Sequence, residues 1–119
     1  MANAVTQFQI LSKDPERTAK FYSQLFHWSV DANNALGYRQ IRTGSKEGIQ
    51  GGIWPAPPQA ANFVQLFVSV DNVQAAIQDG ESLGAKVIIP ATVLPEGDEM
   101  AVLLDPDGMS FAVWRARKN

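Results

Sequence analysis

The stretch NFVQLFVSVDNVQAAIQDGESLG, residues 62–84, decides the fold. Its first part is dense in Val, Leu and Phe, with Gln65 and Ser69 breaking the run at even spacing, and predicts a strand. Leu66, Val68 and Val70 then fall on one side, and Gln65, Phe67 and Ser69 on the other. Asp71 or Asn72 can cap the helix that follows, and Gly84 is placed to end it. Shifting the frame back by 58 residues lands on AVTQFQILSKDPERTAKFYSQLF, residues 4–26. The same signals recur there. VTQFQIL alternates, with Val5, Gln7, Gln9 and Leu11 on one side and Thr6, Phe8 and Ile10 on the other. Asp14 is a cap and Pro15 suits a first helical position. Ala19, Phe21, Tyr22, Leu25 and Phe26 make an apolar helical face. A period of this length, repeated once, predicts two copies of one supersecondary unit.

The segments outside this pair complete each copy. WSVDA and GYRQIRT read as short strands around an Asn33-Asn34 turn, and IQGGIW as a third strand whose two glycines suggest a bend or a close backbone approach. PAPPQAA, residues 55–61, is rich in proline and predicts an extended connector. In the second half AKVIIPATVL carries Pro90, which belongs at a sheet edge or a bulge. EMAVLLDPDGMSFAVWR predicts a hairpin turning through Asp105-Pro106-Asp107-Gly108, where Asp105 and Asp107 serve the turn. The expected class is α+β, with two βαβββ modules in tandem: module one over 1–54, a linker over 55–61 and module two over 62–119, all in one domain.

Composition narrows the function. The chain has 119 residues, 45% hydrophobic and 18% charged, with no cysteine and a formal charge of −2. A chain of this size buries a core without staples. Thiolate nucleophiles and zinc–thiolate sites are excluded. The net charge argues against nucleic acid or an anionic membrane as partner. Arg115, Arg117 and Lys118 are expected to be a solubilising end. No apolar run approaches the ~20 residues of a membrane span, and the N-terminus lacks the regions of a signal peptide, so a cytoplasmic location is expected. His27 is the only histidine. The repeat places it over Ala85, beside Gly84, where a helix ends, so it is expected to meet terminal carbonyls and the helix dipole rather than to catalyse. One histidine supports neither a Ser/His/Asp arrangement nor a His pair for a metal. GGIWP lacks the lysine and helix of a phosphate loop.

DPERTAKFYSQLFHW, GGIWP, VSVDNVQAAIQDGESLGAKVIIPATVLPEG and AVLLDPDGMSFAVWR together resemble the glyoxalase, bleomycin-resistance and extradiol-dioxygenase superfamily, the vicinal oxygen chelate proteins. The resemblance covers nearly the whole chain. It implies βαβββ modules whose mixed sheet curls around a cavity, frequent homodimers, and in many members a divalent metal. The metal positions carry over to Gln7, Gln65 and Ala112, with the fourth near Gly52. Gln is a weak neutral ligand and Ala offers none, so no metal and no other cofactor are expected.

Strand alternation then turns Gln7, Gln9, Trp54, Gln65, Phe67 and Trp114 toward the implied cavity, with Ser110 and Ala112 beside Trp114. An amide-rich, aromatic lining suits a small organic molecule. Trp54 and Trp114 can equally be packing or dimer contacts. Tyr38 and Arg39 can reach a ligand, although exposed strand positions usually have no special role. Glu96, Asp98 and Glu99 sit in a hairpin loop and are the weak candidates for a general base. Three readings follow: a metal-independent small-molecule binder, an isomerase or lyase using one of those carboxylates, and a non-catalytic structural dimer.

Overall fold

The computed structural model describes residues 3–32 and 37–117, and the expected Asn33-Asn34 turn lies outside the described residues. The elements are β1 (Val5–Ser12), α1 (Pro15–Phe26), β2 (Ser29–Asp31), β3 (Arg39–Arg42), β4 (Gln50–Pro55), β5 (Phe63–Ser69), α2 (Val73–Ser82), β6 (Lys86–Val93), β7 (Glu99–Leu104) and β8 (Ser110–Arg115). This is βαβββ twice, as the repeat predicts. β1 and β5 start 58 residues apart, and so do α1 and α2. The chain clusters into two compact units, one of Gln7–Gln65 and one of residues 3–6 with Leu66 onward.

In the unit Gln7–Gln65 the strand order is β2-β3-β4-β1. β1 runs parallel to β4, and the other two pairings are antiparallel. Asp14 caps α1 by accepting the Arg17 N–H at 3.1 Å, and Pro15 opens the helix. Ala19 packs with Ile41 and Ile53, and Phe8, Ile10, Trp28 and Val30 close around them. The rest of the expected apolar face of α1 is only partly covered: Phe21, Leu25 and Phe26 are each more than half exposed.

In the other unit the order is β5-β8-β7-β6, with β5 parallel to β8. Asn72, not Asp71, caps α2, accepting the Ala75 N–H at 2.9 Å. Gly84 ends the helix region at φ +103, and the Ala85 N–H reaches back to the Gly80 carbonyl at 2.9 Å. Val73, Ile77, Ala101, Leu103 and Val113 form the core, with Val70 and Phe111 against it. Pro90 meets both of its expectations: β6 is the edge strand of this unit, and its pairing with β7 slips twice between Val87 and Thr92. The Asp105–Gly108 turn closes with the Gly108 N–H on the Asp105 carbonyl, and the Asp105 carboxylate accepts from the backbone of Asp107 and Met109. Leu66 departs from expectation. Alternation puts it in the layer under the helices, yet half its surface is open.

Two surface segments also differ from their sequence reading. PAPPQAA is docked rather than simply extended. Pro55 is the last residue of β4 opposite Ser12, Ala56 donates to the Ser12 carbonyl, and a turn closes from Ala60 to Pro57. The arginines of the C-terminal end are engaged rather than solvating. Arg115 pairs with Glu99 at 3.3 Å, and the Arg117 N–H donates to the Asp98 carboxylate at 2.7 Å. Lys118 lies outside the described residues.

Candidate functional site

Three of the six expected lining residues meet in the unit Gln7–Gln65. Parallel pairing of β1 with β4 sets Gln9 opposite Gly52 and Leu11 opposite Trp54. Gln7 and Gln9 are two apart on a strand and so share a face. The Gln9 amide Nε2 donates to Gln7 Oε1 at 2.7 Å and to the Tyr38 hydroxyl at 3.3 Å. The Tyr38 ring lies 4.5 Å from the Trp54 ring, tilted by 32°. Gln9 is 1% exposed, and its Oε1 is a buried acceptor with no donor among the described residues. Leaving such an atom unsatisfied costs about 1–3 kcal/mol.

Gly52 makes the arrangement possible. A Cβ there would run into the Tyr38 ring and hydroxyl, and one at Gly51 would strike the Phe8 carbonyl and ring. Both glycines are therefore sites of close approach, as the strand pattern suggested. Tyr38 is half-buried rather than an exposed strand residue. It precedes β3, where alternation carries no burial signal. The one available clue was the glycine pair across the strand, which leaves room for a ring. Burial pushes the Tyr38 phenol above its ordinary pKa of 10.0, opposed by the hydrogen bond from Gln9, so it holds its proton at neutral pH.

The other expected lining residues lie on β5 and β8. Gln65 is buried on β5. Phe67 and Trp114 belong to the second unit, where Phe67, Val102 and Ala112 form a small core with Met100 and Trp114 against it. The Trp114 indole N–H donates to Thr6 Oγ1 at 2.8 Å. Arg39 bonds the Gly37 carbonyl, and Ser110 pairs with Leu104 across the β7–β8 ladder.

The acidic group is more structural than its loop position implied. Glu99 is the first residue of β7 and pairs with Arg115. Asp98 holds the Arg117 backbone, and the Glu96 carbonyl accepts from the Arg117 guanidinium at 3.4 Å. His27 closes α1 in the left-handed region at φ 61. It takes the conformational role that Gly84 takes after α2, one residue off the 58-residue shift. Its exposed ring has no hydrogen bond or ion pair among the described residues, so His27 serves the helix end through its backbone conformation and not through its imidazole.

These features, α+β modules in duplicate with a polar-aromatic face on the first, define a class. The sequence profile of the Glyoxalase-like domain matches residues 7–114, and the chain belongs to that family. Among curated proteins it is similar to CFP32 of Mycobacterium tuberculosis, a provisionally named glyoxylase, at 27% identity over 113 residues. That match takes in 89% of this chain and 43% of the relative, so the chain spans less than half the length of that protein. Hypothetical protein BH1468 of Bacillus halodurans superposes with a TM-score of 0.70 at 12% identity, covering 100% of this chain and 98% of that one. A single-site variant of Streptomyces coelicolor methylmalonyl-CoA epimerase, in complex with 2-nitronate-propionyl-CoA, gives 0.65 at 15% identity, covering 99% and 100%. At such identities the likeness shows the fold alone.

The divalent metal implied by the wider superfamily does not fit the residues at its positions. Gln7 Oε1 already accepts the Gln9 amide. Gly52 has no side chain, and Tyr38 fills the space one would take. Ala112 is fully buried and has no donor atom. The described residues hold no group of three or more His, Cys, Asp or Glu placed to bind a metal ion.

Proposed function

We propose that this chain is a small-molecule-binding protein of the glyoxalase-like family that works without a divalent metal. Its ligand would sit against Gln7, Gln9, Tyr38 and Trp54. The observation that carries this reading is the buried Gln9 carbonyl with no donor, beside a tyrosine–tryptophan pair. A flat, neutral organic molecule bearing an N–H or O–H would stack on the indole and supply the missing donor once Tyr38 or Trp54 shifts aside. Amide and phenol groups with no net charge suit neutral ligands better than ions. Base catalysis by Glu96, Asp98 or Glu99 draws less support, because Asp98 and Glu99 already have partners.

The test is calorimetric titration and thermal shift with benzamide, nicotinamide and their N,N-dimethyl forms. Donor-bearing probes should bind, the dimethylated forms should not, and Gln9→Leu and Trp54→Ala should each lose the response. Binding that is indifferent to methylation and to Gln9→Leu refutes the reading. Elemental analysis checks metal independence: about one divalent ion per chain, lost in Gln7→Ala, would overturn it.

The same reading takes the chain as one cytoplasmic domain that forms a homodimer. The open side chains of Leu25 and Phe26 on α1 support dimerisation. Light scattering at twice the chain mass, reduced to one by Leu25→Lys, is the expected result.

A further inference from the structure

A cleft lies in the unit Gln7–Gln65, at the N-terminal end of α1 and the start of β5. Its volume is about 500 Å³, within the range of small-molecule sites. Ile10, Phe21, Tyr22, Phe63 and Val64 supply its apolar wall. Phe21 is 57% exposed and Val64 64%, so this wall faces water. The polar rim carries Lys13, Arg17, Asn62 and Asp14. The single carboxylate, Asp14, is committed to the helix cap through the Arg17 N–H. Asn62 Oδ1 is held by the Lys13 N–H at 2.9 Å. Neither Lys13 nor Arg17 makes an ion pair among the described residues; Lys13 Nζ reaches only the Pro58 carbonyl, at 3.5 Å.

We infer that this cleft binds an amphipathic organic anion: a carboxylate with an unbranched hydrocarbon tail of middle length. Two cations and one carboxylate share this rim, which leaves it net positive on a chain whose formal charge is −2. Asp14 turns one oxygen to the helix cap, so neither cation is held in an ion pair and a bound carboxylate meets a net positive rim. The exposed Phe21 and Val64 side chains gain by being covered, which an alkyl tail does and a small inorganic anion does not. Neither requirement involves Gln9 or Trp54, so the inference stands apart from the binding reading above.

The probe is octanoate, titrated into the full chain and followed by calorimetry and by tryptophan emission. Trp28 stacks on the cleft residue Tyr22 with ring centres 5.8 Å apart, so occupancy should change its emission. Octanol serves as the uncharged twin and acetate as the tailless one. Octanoate should bind at least about tenfold more tightly than either, and the combined substitution Lys13→Gln with Arg17→Gln should remove that advantage. In the unmodified chain, raising ionic strength should weaken octanoate and leave octanol unchanged. That arm needs no variant, so it holds even if the double substitution folds poorly. Gln9→Leu should leave octanoate affinity unaltered. Equal binding of octanoate and octanol, octanoate binding that persists in the double variant, or no binding at all overturns the inference. So does a dimer, broken by Val64→Asp, that excludes octanoate, for then a second copy of the chain is the occupant.

Discussion

The Tyr38 ring rests on Gly52, so close to its backbone that a Cβ at position 52 would lie inside the phenol. The contact joins the approach to β3 with the middle of β4 and aims the tyrosine hydroxyl at Gln9, which faces Gly52 from β1.

Gly52→Ala should therefore expel the Tyr38 ring. The expected cost is about 1–3 kcal/mol by denaturant titration, as for other insertions into a packed site. The near-ultraviolet signature of the Tyr38–Trp54 pair should fall with it. Gly51→Ala should cost more, because its clash includes the Phe8 carbonyl, which cannot rotate away.

Tyr38 should make stability pH-dependent at the alkaline end only. Its folded-state pKa is raised by burial. The unfolded chain therefore loses this proton first, and the folded chain keeps it longer. The stabilisation is fully present below the unfolded pKa near 10.0, and is lost as pH rises through the higher folded value. Melting temperatures measured from neutral pH to about pH 11 should fall more steeply for the parent chain than for Tyr38→Phe.

His27→Gly should stabilise the chain. A residue with a Cβ in the left-handed region carries about 1–2 kcal/mol of strain, part of which glycine relieves. A gain of about 1 kcal/mol is expected, with ligand binding unchanged. His27→Val should destabilise by a similar amount. A tenfold loss of binding in folded His27→Gly would show that the imidazole has a role the geometry does not reveal.

Thr6→Val keeps the shape of β1 and removes the acceptor of the Trp114 indole N–H. A loss of about 1 kcal/mol is expected. In the Trp114→Phe background the same change should cost much less, and a double-mutant cycle measures the difference.

The fold was legible because its signals are local and doubled. Asp14 and Asn72 cap at the same phase of the repeat, Gly84 stops α2, and Pro90 marks an edge strand with slipped pairing. None of these needs knowledge of a distant residue. The candidate site was half legible. Alternation placed Gln7, Gln9 and Trp54 on one face, but Tyr38 enters through a glycine vacancy on another strand, which no periodicity records. Phe67 and Trp114 share a small core with Val102, Ala112 and Met100 in the second unit, a packing role that strand alternation does not reveal. The apolar face of α1 misled in a different way. Helical spacing reports which side chains share a side, and says nothing of whether neighbouring elements extend far enough to cover Phe21 or Leu25.

Ala4 and Thr6 bond to Ser69 and Trp114, residues made more than sixty positions later. On the ribosome, where early segments emerge first, this opening segment has no partner in its own compact unit until the second module follows it. The first module cannot finish its leading strand in isolation. The nascent chain must carry an unpaired strand end through much of translation, and a ribosome stalled before residue 110 would hold a product in which Thr6 still lacks the indole it bonds.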